Sequence, residues 1–131
     1  MLLKNVMIPG AEVPVDLAVT AGEFTQPSPL RSTETSIDAS GWVALPAMID
    51  LHVHGGGGHD MSASLESLCE AMAFHHRHGV RATLVSLVTA AIPDLCRQLS
   101  WVADAVEEGV PEGRVLGAHL EGPFLSQARC G

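Results

Sequence analysis

Three side chains carry most of the chemistry available to this sequence: His52, His54 and Glu121. Two histidines two positions apart on an extended strand point to one face, with Cα atoms about 7 Å apart at ~3.3–3.4 Å rise per residue. From that spacing two imidazoles can reach one metal ion at ~2.0–2.1 Å. The run Met48-Ile49-Asp50-Leu51-His52-Val53-His54 reads as an apolar strand. The pair therefore stands at the carboxyl end of its strand, where α/β folds place their sites. Asp50 shares the parity of the histidines and is expected to orient an imidazole from behind. A later run, Arg114 to Glu121, reads as another strand. Glu121 closes it on the parity of His119, so its carboxylate is expected at the same mouth. His119 reads as a packed histidine behind the ligands, with a place as third ligand as the alternative.

Other groups are less pointed. The run Gly55 to Gly58 lacks the Lys-Ser/Thr pair of a phosphate loop, and is expected to allow close backbone approach beside the histidines. His75, His76 and His78 read as a solvated helix end, where cations suit the macrodipole. Cys69 and Cys96 are expected as small core residues, and Trp101 as packing.

The elements that must position these groups alternate. After the His52 strand, Leu65, Leu68, Cys69 and Met72 fall at helical spacing, with Ser64 as N-cap and Gly79 just past the end. Val80 to Thr89 is rich in β-branched residues and reads as a strand. A second helix begins near Pro93, with Leu95, Leu99, Val102, Ala103 and Val106 as its buried face and Gly109 as its stop. Strand, helix, strand, helix, strand is the order of βαβ units, a parallel sheet apolar enough to be covered on both faces. Three such strands leave two open edges, so the sequence reads as the front part of something larger. Before Pro46 the chain reads as short strands and turns: Val13, Val15, Leu17 and Val19 alternate, Ser36 to Ala39 forms another strand, Trp42 to Leu45 extends the unit, and residues 25–36 are polar and turn-rich.

Composition limits the partners. The 131 residues carry fifteen acids against seven bases, a net charge of −8, with one lysine. Neither a nucleic acid nor an anionic membrane surface finds the basic patch it needs. No run approaches the ~18 apolar residues of a membrane span, and no secretory leader is visible. Three widely spaced cysteines without a CxxC pair suit a reducing compartment. A cytoplasmic protein is expected.

Two segments resemble a known family. Pro46-Ala47-Met48-Ile49-Asp50-Leu51-His52-Val53-His54-Gly55-Gly56-Gly57-Gly58-His59-Asp60 is similar to the first barrel strand and metal loop of the amidohydrolase superfamily. His119-Leu120-Glu121-Gly122-Pro123-Phe124 resembles the HLEGPF segment of N-acetylglucosamine-6-phosphate deacetylases. Ala47 departs from the glycine common at that place.

The resemblance implies an α/β fold: the first three strands of a partial (β/α)8 barrel over residues 46–131, preceded by strands of a small β-sandwich over 1–45. It implies a divalent metal, Zn²⁺ first, with Glu121 as a ligand and His52 and His54 able to hold a further metal; Asp50 and His119 are expected behind these ligands from the strand parity given above. The implied reaction removes the acetyl group of N-acetylglucosamine 6-phosphate, giving glucosamine 6-phosphate and acetate. The metal polarises the amide and acidifies a water. The general base and the substrate-binding residues are expected beyond Gly131, so this chain alone is expected to be inactive. A homo-oligomeric parent is left open. The rival readings are another amidohydrolase, such as a dihydroorotase-like or imidazolone-type cyclic amidase, and a non-enzymatic metal-binding fragment.

Overall fold

A computed structural model describes residues 1–27 and 35–129. The chain divides into two units, Met1–Pro46 and Ala47–Gly131. Cys130 and most of the turn-rich stretch expected over residues 25–36 lie outside the described residues.

The first unit is a four-stranded sheet. Strands β1 (Leu2–Val6), β2 (Val15–Thr20), β3 (Glu23–Thr25) and β4 (Ser36–Asp38) lie in the order β3-β2-β1-β4. β1 pairs antiparallel with β2 and parallel with β4. The alternation expected from Val13 begins at Val15, and Val13 is exposed. Trp42 to Leu45 joins the unit through an isolated parallel bridge, Met7 to Val43, rather than as a full strand. β1 bulges at Asn5, which has φ +60°. Asparagine tolerates that left-handed conformation better than most residues. Its backbone N–H donates to Asp16 Oδ1 at 3.0 Å and its side-chain amide to Asp38 Oδ1 at 3.3 Å. Asp38 Oδ1 also accepts from Ser40 N–H at 3.1 Å and Ser40 Oγ at 2.6 Å. The Ser40 hydroxyl first, then Asn5 and the Ser40 amide, hold the Asp38 carboxyl below the usual carboxylate range.

The second unit has the expected alternation. β5 (Met48–Val53), β8 (Val80–Leu87) and β9 (Arg114–Leu120) form a parallel sheet in the order β5-β8-β9, with α1 (Leu65–Arg77) and α2 (Ile92–Glu107) as the crossovers. Between β5 and α1, β6 (Gly55–Gly56) and β7 (His59–Asp60) pair as a small antiparallel ribbon. The helix punctuation follows the sequence. Ser64 Oγ accepts from Ser67 N–H at 3.0 Å, and Gly79, at φ +90°, turns the chain past α1. Pro93 opens α2, whose N-cap Ala91 supplies no side-chain bond.

The core of this unit gathers Leu68, Ala71 and Met72 of α1, Val85 and Leu87 of β8, Leu95, Val102 and Ala105 of α2, Val115 of β9, and Met61. On α2 the buried stripe passes through Ala105, while Ala103 and Val106, expected inside, face solvent. Helical geometry allows one stripe of ~100°, and packing against β8 and β9 selects which residues fill it. Cys69 is half-buried and Cys96 is exposed, so only the first approaches its expected core position. Met48, Ile49 and Leu51 of β5 are also exposed. The cover expected on both faces is therefore missing at this outer strand among the described residues.

Candidate metal centre

The three parallel strands deliver their functional groups at their carboxyl ends. His52 lies near the end of β5 and His54 just past it; Ser86 lies near the end of β8; His119 and Glu121 flank the end of β9. Register makes this neighbourhood specific, because Ser86 is directly opposite His119. A one-residue slip of β9 against β8 would turn His119 and Glu121 to the other face.

His52 Nε2 lies 2.7 Å from Glu121 Oε1, His54 Nε2 lies 3.5 Å from the same oxygen, and the two Nε2 atoms are 3.2 Å apart. Three donors around a tetrahedral zinc at 2.0–2.2 Å stand about 3.3 Å from one another. Two edges of the observed triangle are close to that size and the third, His52 to Glu121 at 2.7 Å, is a hydrogen-bond distance that a cation would open by about 0.6 Å; the two nitrogens and one carboxylate oxygen are a zinc-type donor set. The residues thus fit a divalent cation. His119 also offers a ring nitrogen, which forms with His52 and Glu121 a group whose ligand atoms lie within 4.8 Å of one another. Its ring is tilted against that of His52, with centroids 5.0 Å apart.

Hydrogen bonds orient these groups. His54 Nδ1 lies 3.0 Å from the Ser86 carbonyl oxygen. A carbonyl only accepts, so the ring proton sits on Nδ1 and the Nε2 lone pair faces the triangle. A carboxylate likewise only accepts, so in the cation-free molecule His52 donates Nε2–H to Glu121. Glu121 is tied to the central strand through its main chain: its N–H donates to Leu87 O at 2.9 Å, and its carbonyl accepts from Thr89 Oγ at 2.6 Å. The following Gly122 has φ +116°, and a Cβ there would run into the Thr89 hydroxyl. Only glycine lets the chain leave β9 so close to Thr89.

Asp50 does something other than expected. Its Oδ1 accepts the His52 backbone N–H at 3.1 Å, so it braces the strand rather than an imidazole ring. The physical reason is local: a carboxylate two residues before an amide closes a turn-like bond on it, where β5 leaves its regular register between Asp50 and Val53. His75, expected in solvent, is half-buried and donates Nε2–H to the Gly55 carbonyl at 3.0 Å. It pins the glycine ribbon immediately after His54. The close approach expected of the glycines is present: Cβ atoms at Gly56 and Gly57 would meet Phe74 at 2.9 Å. Asp60 Oδ1 caps the following turn through Ser62 N–H at 2.7 Å. Ser86 and Thr89 escaped the sequence reading, because each lies in a run that packing alone explains, while His75 was read as solvated because its position in the last turn of α1 says nothing of the ribbon packed beside it.

No family model matches the chain. Curated relatives do. It is 33% identical over 111 residues to an N-acetylgalactosamine-6-phosphate deacetylase of Escherichia coli O157:H7, covering 84% of this chain and 29% of that protein. It is 33% identical over 132 residues to the N-acetylglucosamine-6-phosphate deacetylase of Bos taurus, covering 93% of this chain and 32% of that one. Among solved structures, a mutant N-acetyl-D-glucosamine-6-phosphate deacetylase of Mycobacterium smegmatis, in complex with N-acetyl-D-glucosamine-6-phosphate, superposes with a TM-score of 0.78 at 35% identity. That match covers 100% of this chain and 35% of the other. A mixed α/β fold with a His/Glu donor cluster at its strand ends, and sequence likeness along nearly its whole length, agree: the chain is similar to N-acetylglucosamine- and N-acetylgalactosamine-6-phosphate deacetylases and spans about a third of the length of the relatives it matches.

Proposed function

We propose that this chain carries the cation site of a hydrolase that removes the acetyl group of N-acetylglucosamine 6-phosphate, giving glucosamine 6-phosphate and acetate. The observation that carries the reading is the triangle of His52 Nε2, His54 Nε2 and Glu121 Oε1, with edges of 2.7, 3.2 and 3.5 Å. Likeness to the deacetylases named above supports the substrate class. The two curated relatives named above act on epimeric sugars at the same 33% identity, so both epimers belong in the test.

His52, His54 and Glu121 are the ligands we assign, and Zn²⁺ is the cation their donor types favour. A divalent cation there supplies Lewis acidity to the amide carbonyl and acidifies a water near neutral pH. The chain's own residues hold the geometry. The Ser86 carbonyl keeps the His54 lone pair turned inward, Asp50 fixes the His52 backbone, and Thr89 with Leu87 fixes Glu121. Glu121 also brings the negative charge that offsets part of a dication's charge at a mouth where its side chain is 31% exposed. We place the general base outside the described residues, and read the two units as strands of a β-sandwich (1–45) and the first three strands of a (β/α)8 barrel (46–131), in a cytoplasmic enzyme.

The reading is tested by metal analysis and calorimetry on the 131-residue chain. One Zn²⁺ per chain is expected, lost in Glu121→Gln. Acetate release from both hexosamine epimers by a chain extended to the relatives' length then tests the reaction. No Zn²⁺ uptake, or uptake indifferent to Glu121→Gln, refutes the site. The relatives reported above are amino-sugar phosphate deacetylases, and no observation favours a cyclic amidase.

A further inference from the structure

Ser86 is 1% exposed on the central strand, between the histidines of its two neighbours. Its carbonyl oxygen takes His54 Nδ1 at 3.0 Å, and its hydroxyl lies 3.1 Å from His119 Nδ1. The two contacts dictate different proton positions. The carbonyl only accepts, which puts the His54 proton on Nδ1. The hydroxyl has a hydrogen to place, and water does not reach it. Among the described residues its hydrogen-bond partner is His119 Nδ1. A buried hydroxyl hydrogen finds an acceptor, so it donates to Nδ1, and the His119 proton sits on Nε2.

We propose that Ser86 sorts the two histidines beside it into opposite tautomers, making His54 a cation ligand through Nε2 and His119 a hydrogen-bond donor through Nε2–H at the same mouth. An Nε2–H nitrogen has no lone pair in the ring plane to give a cation. What it recognises is an oxygen acceptor, either a carboxylate such as Glu121 or the carbonyl oxygen of an acylated ligand. Ser86 is thus a positioning residue. His119, whose ring nitrogen stands within 4.8 Å of donor atoms of His52 and Glu121, leaves the ligand set and becomes a polar contact that discriminates in favour of oxygen-bearing ligands. The tautomer assignment stands on the cation-free molecule, while the division into ligand and donor rests on the cation reading above.

The test uses the whole chain labelled with ¹⁵N-histidine and stripped of metal, with two-bond ¹H–¹⁵N spectra assigned through His54→Gln and His119→Gln. His54 is expected to show a protonated Nδ1 and a bare Nε2, and His119 the reverse. Ser86→Ala erases the His119 preference and leaves that of His54, whose partner is main chain; Ser86→Thr restores it. A loss of folding would move both histidines together, and the wild-type pattern needs no variant. A protonated His119 Nδ1, or a His119 pattern indifferent to Ser86→Ala, overturns the assignment. Zn²⁺ is then added. The Nε2 signals of His52 and His54 are expected to shift while the His119 Nε2–H persists. His119→Phe keeps the Zn²⁺ affinity within about threefold, whereas His54→Phe weakens it at least about tenfold. Zn²⁺ on His119 Nε2 overturns the donor role. Zn²⁺ that moves none of the three overturns the cation reading and the ligand–donor division with it, while the metal-free spectra decide the tautomers separately.

Discussion

Gly122→Ala offers the most quantitative handle on Glu121. Gly122 sits at φ +116°, and the added methyl meets the Thr89 side chain, with Thr89 Cβ at 3.1 Å and Cα at 3.4 Å. Backbone strain at such a φ costs about 1–3 kcal/mol. Overpacking against Thr89 adds about 1–3 kcal/mol. Together they are a large share of a stability of about 5–15 kcal/mol. Relief comes by moving the Glu121–Gly122 peptide, which sacrifices the bond from Thr89 Oγ to Glu121 O and displaces the carboxylate. Thr89→Ala alone loses that bond and costs about 1 kcal/mol. In the double variant the nearest obstacle is gone, so the two costs fall short of their sum by about 1–2 kcal/mol. Denaturant titrations of the four proteins measure this coupling, and Zn²⁺ calorimetry on the same set reads the carboxylate, with an affinity about 10–100-fold weaker in Gly122→Ala. Costs that add to within about 0.5 kcal/mol, or Zn²⁺ affinity untouched in Gly122→Ala, refute the account.

Three further outcomes follow from the same contacts. The Asp38 carboxyl is held low in the folded state, so its contribution is fully present above the unfolded value of about 3.9 and disappears as pH falls through the lower folded value; Asp38→Asn should flatten the dependence of urea midpoint on pH below about 4, measured by circular dichroism. Burial first, then the neighbouring Glu70, raises the Cys69 thiol, while Cys96 is exposed. Site-resolved mass spectrometry after iodoacetamide at pH 8 should therefore find Cys96 labelled well before Cys69, and equal rates contradict the burial. His75→Leu removes a bond to Gly55 and should cost about 1 kcal/mol, with faster amide exchange across residues 55–60, whereas exposed His76→Leu should leave those amides alone.

What the sequence made legible was whatever depends on spacing within one element. His52 and His54 declare themselves because strand geometry alone aligns them, and Ser64 and Gly79 because a helix end asks for those residue types locally. β1 was not legible: Leu2–Val6 is Leu-Leu-Lys-Asn-Val, without alternation, and becomes a strand by pairing with β2 and β4. Ser86 was hidden for a related reason. In the run Val-Arg-Ala-Thr-Leu-Val-Ser-Leu it reads as filler, and only the register against β9 sets its hydroxyl beside His119. Asp50 shows the limit of parity arguments. Its side of the strand is set by alternation, yet the irregular register beside it makes the nearest donor the His52 amide.

One consequence reaches beyond chemistry. In the order β5-β8-β9 the outer strands share no hydrogen-bonded ladder, yet His52 and Glu121 meet across β8 at 2.7 Å. A dication gripped between them would work as a clasp, closing a loop of chain much as a covalent crosslink does. The ligand would then strengthen the sheet by mass action, about 2.7 kcal/mol when present at a hundred times its dissociation constant. Chelation would loosen the sheet by the same amount, so the melting temperature would report how full the site is.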